Sequence, residues 1–266
     1  DGLRAAFEER ERRRVRIALP SARTLAPNAL PAAVATLFAG WTAASIPFYP
    51  SGGAAVLAAI AGGLSLRRVR LGLVFALLVP VLPLGNISAG LAWSYAAIAL
   101  FWLALSWRDE RAGLFLAAGP LLGPLSALGL LPLASQVVRG RWRRAFQVGA
   151  AVLLAGVVAG LRHAPLPFTG APPPKGLGIA GSNDPLAVFA ALARATTSHP
   201  ALLLEALALG AAGAVLPLAG RRGPWGIAGF GSALLAITVI PAGISAWPLV
   251  LCTWATCIGL AARAER

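Results

Sequence analysis

The charged residues of this chain are clumped, and the stretches between the clumps are uncharged, mostly apolar runs of 15 to 37 residues. A run of about 20 apolar residues is long enough for one helix to cross the roughly 30 Å hydrocarbon core of a bilayer. The pattern therefore predicts an all-α fold, a polytopic integral membrane helix bundle whose main partner is the lipid bilayer.

The overall composition supports a membrane protein and argues against nucleic-acid binding. The chain is 58% hydrophobic and 12% charged, with a mean hydropathy of +0.76, whereas a soluble domain is about 25% charged. The net charge of +14 comes from short basic clusters between apolar runs, which is the pattern of a positive-inside membrane protein. Abundant Ala, Gly, Pro and Arg, with Lys175 as the single Lys, favour a bacterial source and hence the bacterial plasma membrane.

The apolar runs divide into eight predicted spans and one broken segment. The spans are 29–49, 52–66, about 71–84, 88–107, 145–161, 201–219 and two within 225–261. Residues 1–27 are predicted to form a basic cytoplasmic juxtamembrane segment, and 28–266 a single transmembrane domain. Because the chain begins at Asp1 and contains no Met, we expect it to be a processed or excised fragment.

The longest polar region, 162–199, is predicted to form an outer loop. Within it, Asp184 followed by Pro185 is typical of a helix start. The helix that they open, apolar at Leu186, Phe189 and Leu192, is expected to lie on the membrane surface.

The broken segment 112–138 decides the topology. Its 27 uncharged residues contain Pro120, Pro124 and Pro132, and basic clusters flank it on both sides. If the segment returns as a hairpin, 20 of the 23 Lys and Arg residues lie on the cytoplasmic side; a single crossing leaves 15 there. The positive-inside rule therefore favours the hairpin, with both termini cytoplasmic and the tip at 119–124 buried in protein.

Three residues are candidates for function. Glu205 is the only acidic residue inside an apolar run, and intramembrane ionisable groups are often functional. His199 or Arg194 is expected to pair with it near the outer surface. Asn86 is interpreted as a turn former between two spans, with Pro80, Pro83 and Gly85 supplying the rest of the break. No cofactor site is predicted, and His163 and His199 lack the further ligands that a metal site requires.

No catalytic constellation is present in the sequence. The GxGxxG pattern at 176–181 follows a proline run instead of a strand, so a flexible loop is favoured over a nucleotide-binding turn. HExxH, GxSxG and a P-loop are all absent.

Three stretches carry a family resemblance: PLGNIS at 83–88, FWLALSWRDERAGLFLAAGPLLGPL at 101–125 and APLPFTGAPPPKGLGIAGSNDPLAV at 164–188. Over about residues 20–220 the chain resembles the multi-span C-terminal membrane region of actinobacterial serine/threonine protein kinases. The resemblance implies a cytoplasmic kinase domain upstream as partner. The chain itself lacks the Gly-rich loop, HRD and DFG motifs, so no kinase residue is carried over and no phosphorylation by this chain is expected.

Two functional hypotheses follow. The first is a non-catalytic membrane anchor of a signalling protein, with the outer loop as a possible sensor. The alternative is a small transporter or channel-like protein, with the 112–138 hairpin and Glu205 near a substrate path.

Overall fold

The computed structural model describes residues 28–46, 48–167, 170–174, 177–242 and 247–264, and these ranges contain helices and loops without a strand. The predicted all-α class is confirmed. The predicted juxtamembrane segment 1–27 lies outside the described residues. The α-helices, in chain order, are α1 Ala29–Ser45, α2 Gly53–Arg67, α3 Val69–Leu78, α4 Val81–Ile87, α5 Ala89–Leu105, α6 Glu110–Leu122, α7 Leu131–Ala134, α8 Arg141–Leu161, α9 Pro185–Thr197, α10 Pro200–Arg221, α11 Gly223–Ala242 and α12 Trp247–Ala264.

Three helical stretches are long and apolar enough to cross a membrane: Val69–Ile87, which joins α3 and α4, Arg141–Leu161 and Pro200–Arg221. Most of the remaining apolar helices are 10–17 residues long. The larger number of eight spans stays a prediction.

The break expected at Pro80–Asn86 is not where the sequence placed it. Val79 and Pro80 keep right-handed helical dihedrals, because the fixed φ of proline, here −69°, suits the first residues of a helix. The chain turns at Ser88, whose extended backbone and side-chain oxygen cap α5 by accepting the Leu91 N–H at 3.1 Å. Asn86 is exposed in the last turn of α4, so its predicted role as turn former is wrong.

Alanine is the most frequent residue in the core of the bundle, and many bulky apolar side chains point outward. Most residues of α6 from Ala112 to Pro120 are buried, and the surrounding core contains many alanines from α1, α3 and α8. Exposed apolar side chains occur on most of the longer helices. They include Leu37, Ile60, Leu78, Leu82, Trp93, Leu100, Phe101, Leu207, Leu218, Ile237, Leu251, Trp254 and Ile258.

The segment 112–138 turns back on itself. α6 runs parallel to α8: a Cβ added to Gly119 would overlap the Ala151 carbonyl oxygen, and one added to Gly123 would lie 3.2 Å from the Ala155 Cβ. Because both helices run in the same direction, the short helices between them must carry the chain back.

Contacts at the start of α8 show where the return ends. There, the Arg143 guanidinium donates to the Leu105 carbonyl at 3.4 Å, and the Arg144 Nε donates to the Val138 carbonyl at 2.7 Å. Both ends of the segment therefore lie at one end of the bundle, as expected for a hairpin. The tip is only partly buried, because Pro124, Leu125 and Ser126 are exposed.

The basic clusters of the described residues converge on that same end. Arg70 forms a 2.7 Å ion pair with Glu110 and stacks over the Trp107 ring. α10 runs antiparallel to α8 and extends past the α8 N-terminus, so its final Arg221 lies at the same end of the bundle. We call this region the basic end, defined by Arg67, Arg68, Arg70, Arg108, Arg139, Arg141, Arg143, Arg144, Arg221 and Arg222.

Candidate functional site

Glycines allow α8 and α10 to touch along most of their length. A Cβ added to Gly210 would lie 2.8 Å from the Ala145 carbonyl oxygen, and one added to Gly149 would lie 3.3 Å from that of Ala206. Nearer the other end of the pair, a Cβ added to Gly156 would overlap the Leu202 side chain. Such backbone-to-backbone approach requires small residues, as is usual where helices pack in membranes.

Two polar side chains are buried on these helices. Glu205 is 1% exposed and Gln147 is 3% exposed. Glu205 lies one helical turn after Leu202 on α10, whereas Gln147 lies one turn before Ala151, on the side of α8 that packs against α6. Both carboxylate oxygens of Glu205 and the Oε1 atom of Gln147 lack a hydrogen-bond partner. Unpartnered buried polar atoms are rare and call for an explanation.

The expected pairing of Glu205 with His199 or Arg194 is wrong. The His199 Nδ1 atom lies 2.9 Å from the Ala195 carbonyl oxygen, and the Arg194 Nε donates to the Ala190 carbonyl at 3.3 Å. Both side chains therefore hydrogen-bond to carbonyls of α9, the helix before α10, and neither forms an ion pair with Glu205. In the part of the chain that the structure describes, the single ion pair is Arg70–Glu110.

The outer loop packs against the start of α5. The Ser88 Oγ donates to the Ser182 carbonyl at 2.8 Å, and the Ser94 Oγ donates to the Pro185 carbonyl at 2.9 Å. Ile179 and Val188 are buried against Leu91. We call residues 177–197, which include α9, the outer cap.

The outer cap contains most of the GxGxxG pattern. Gly178 and Gly181 have positive φ angles of 66° and 73°, and the Gly181 N–H donates to the Ile87 carbonyl at 3.1 Å. No strand precedes the pattern in the described ranges, so the prediction of a loop holds, but the loop is packed against the bundle. Leu186 and Phe189 of α9 are exposed, as a surface-lying helix would require.

A small cavity of about 30 Å³ lies between the outer cap and the outer halves of α8 and α10. It can hold a water molecule, but an organic ligand needs roughly ten times that volume. Gly156, Gly160, Leu192, Thr196, His199 and Leu202 are among the lining residues. Leu202 is one helical turn from Glu205 on the same buried face of α10.

The three predicted candidates are not brought together. Asn86 is exposed at the end of α4, His199 lines the cavity, and Glu205 is buried on α10. Among the residues described, no group of three or more His, Cys, Asp or Glu side chains could hold a metal ion.

Sequence reasoning missed Gln147 and Ser88. Each had a signal: Gln147 is an isolated polar residue within an apolar run, and Ser88 directly precedes a helical run, as an N-cap does.

Comparison with protein-family models, curated proteins and solved structures gives no match for this chain. The class that the fold and the site define is a helical bundle with apolar helices long enough to span a membrane and a buried, unpartnered carboxyl group.

Proposed function

We propose that this chain is a non-catalytic, membrane-embedded domain that anchors a bacterial signalling protein in the plasma membrane, with the outer cap as its sensing part. One observation carries the membrane placement: bulky apolar side chains are exposed around the bundle, although its core is also apolar and contains more alanine than any other residue. So many exposed bulky apolar side chains on the longer helices are a liability in water. In a bilayer the same surface faces lipid.

The orientation follows from the basic end. Positive-inside bias places this end in the cytoplasm, and exposed Trp107, Trp142 and Trp225 beside its clusters suit the membrane interface. With α3 and α4 as one span, the helices supply eight crossings plus the 112–138 hairpin, and both termini are cytoplasmic.

An anchor fits the buried polar groups better than a transporter does. Thr238, Thr253 and Thr256 each donate to a carbonyl four residues earlier on their own helix, at 2.7 to 2.9 Å. Hydroxyls satisfied in this way do not line an aqueous path. Glu205 is the one buried acidic side chain in the described ranges, whereas a proton-coupled transporter usually offers a relay of such groups.

Cysteine accessibility tests the membrane topology. In a background with Cys252 and Cys257 replaced by Ser, we expect Asn183→Cys to react with a membrane-impermeant maleimide in intact cells. Arg108→Cys and Arg141→Cys should react only after permeabilisation, because both positions belong to the basic end. Labelling of Arg108→Cys and Arg141→Cys from opposite sides would overturn the hairpin, and labelling of all three in intact cells would overturn the membrane placement.

The coding sequence that surrounds this chain in its gene tests the anchoring role. When the reading frame is extended upstream of Asp1, we expect it to encode a kinase domain. That domain should contain a Gly-rich loop, a lysine on the strand that follows it, and the HRD and DFG motifs. This expectation comes from the family resemblance and from the cytoplasmic placement of the N-terminus. An extended frame without a signalling domain on either side would sink the anchor proposal while leaving the topology intact.

A further inference from the structure

We propose that Glu205 is a proton-binding site, held as a neutral carboxylic acid on the buried side of α10 and reached from the cavity beneath the outer cap when Leu202 moves aside. Nothing in the anchoring role requires such a group. The proposal therefore goes beyond the anchoring role. It rests on that role only for the signal that protonation of Glu205 would give to the rest of the protein.

The first argument is the balance of donors and acceptors around Glu205. Its two carboxylate oxygens are buried acceptors without a donor. An ionised carboxylate in this position would be a buried charge without a partner, which costs several kcal/mol. One proton removes the charge and converts one of the acceptors into a donor.

The second argument is that no cation among the described side chains neutralises Glu205 in place of a proton. The elements packed against α10 are the helices α7, α8, α9, α11 and α12 and the 3-10 turn Ser135–Val137, which follows α7. Among the side chains that the structure describes, the ionisable ones on or capping these elements and α10, apart from Glu205 itself, are Arg141, Arg143, Arg144, Arg162, Asp184, Arg194, His199, Arg221, Arg222, Cys252 and Cys257.

Most of these groups are placed away from Glu205. Arg141, Arg143, Arg144, Arg221 and Arg222 belong to the basic end, and Asp184 accepts the Leu186 N–H at the start of α9. Arg162 stacks over the Trp41 ring at 5.0 Å, and Arg194 and His199 are bonded to α9 carbonyls. Among the described side chains, none forms an ion pair with Glu205.

The third argument is access. The cavity ends at Leu202, whose side chain presses on Gly156 and is almost fully buried. Residues 202 and 205 are neighbours on one helix face. A rotamer change of Leu202 would therefore connect the cavity, which can hold water, to the carboxyl group. His199 lies on the cavity wall and is the ionisable side chain nearest to the route along α10.

Reaction with dicyclohexylcarbodiimide tests the proposal, because this apolar reagent attacks protonated carboxyl groups. The acid proton passes to one reagent nitrogen and the carboxylate oxygen bonds to the central carbon, after which an acyl shift to nitrogen gives a stable adduct with no atom lost. In the purified, folded chain we expect Glu205 to form this adduct, identified by peptide mass, with a yield that falls as the pH is raised. Glu205→Gln should abolish the adduct without unfolding the protein.

Two leucine variants test the route. Leu202→Ala should accelerate modification of Glu205 severalfold, whereas the matched control Leu207→Ala, at a position 73% exposed on the same helix, should leave the rate unchanged. If Leu202→Ala fails to fold, Leu202→Val gives the same comparison with a smaller opening. Equal rates for the wild type and a folded Leu202 variant would overturn the route.

Other outcomes bear on the site itself. Failure of Glu205 to react at any pH in folded protein, or a yield that does not change with pH, would overturn the proton site. Because the reaction is carried out on the isolated chain, it is independent of any upstream domain. If the anchor proposal is overturned, the result for Glu205 is unaffected. If Glu205 does not bind a proton, the anchor proposal is likewise unaffected.

Discussion

Replacing Gly119 by alanine will destabilise the protein by about 3 kcal/mol, the upper part of the range for overpacking a close contact. The new methyl group would overlap the Ala151 carbonyl oxygen, which belongs to the α8 backbone and cannot rotate away. α6 and α8 must therefore separate, and the hairpin loses its main contact. Unfolding of the purified protein by sodium dodecyl sulfate, followed by circular dichroism, measures the loss.

Gly63→Ala is the matched control. Gly63 is also inside a helix, α2, but a Cβ added there meets nothing within 4 Å. Alanine is the better helix former, so this variant should gain about 0.5–1 kcal/mol. Equal effects of the two substitutions would show that α6 is not packed against α8 as described.

Truncating Trp102 to alanine will cost about 4 kcal/mol, within the range for a buried large aromatic residue. The indole is buried at the corner between α5 and α6, where its Nε1 donates to the Gly113 carbonyl at 3.0 Å. Its ring also stacks on Phe146 of α8 with 6.0 Å between the centroids. The substitution thus opens a cavity and removes the partner of a buried carbonyl, which thermal unfolding in detergent will report.

Trp93→Ala supplies the control on the same helix. Trp93 is 68% exposed, so its truncation should change stability by about 0.5 kcal/mol or less. Trp102→Phe separates the two contributions at the buried position, since phenylalanine keeps most of the ring volume but loses the hydrogen bond to Gly113. A destabilisation by Trp93→Ala as large as that by Trp102→Ala would contradict the buried role of Trp102.

The sequence was most informative where a single physical rule acts on a long segment. Apolar runs predict the helices of the described ranges, because backbone groups in lipid must be satisfied within the helix. Counting Arg and Lys on either side predicted that 112–138 turns back, and the parallel packing of α6 and α8 agrees. Neither prediction required any knowledge of which residues touch.

The errors arose where tertiary contacts decide. The chain turns at Ser88 and not at Asn86. The Ser88 hydroxyl group also donates a hydrogen bond to the outer cap, 94 residues away in the chain. Asn86 has the higher local turn propensity and no such partner. Similarly, His199 and Arg194 are close to Glu205 in sequence, yet the corner between α9 and α10 turns their side chains to α9. Periodicity contains no information about that corner.

The short length of α2 has a consequence for the surrounding lipid. Its 15 residues rise about 22 Å along the helix axis, less than the roughly 30 Å thickness of a typical hydrocarbon core. On the flank where Val56 and Ile60 are exposed, the bilayer must thin, or Arg67 and Arg68 must extend their side chains toward the headgroups. In the proposed placement the domain therefore favours a locally thin membrane, and α2 makes it responsive to acyl-chain length as well as to protons.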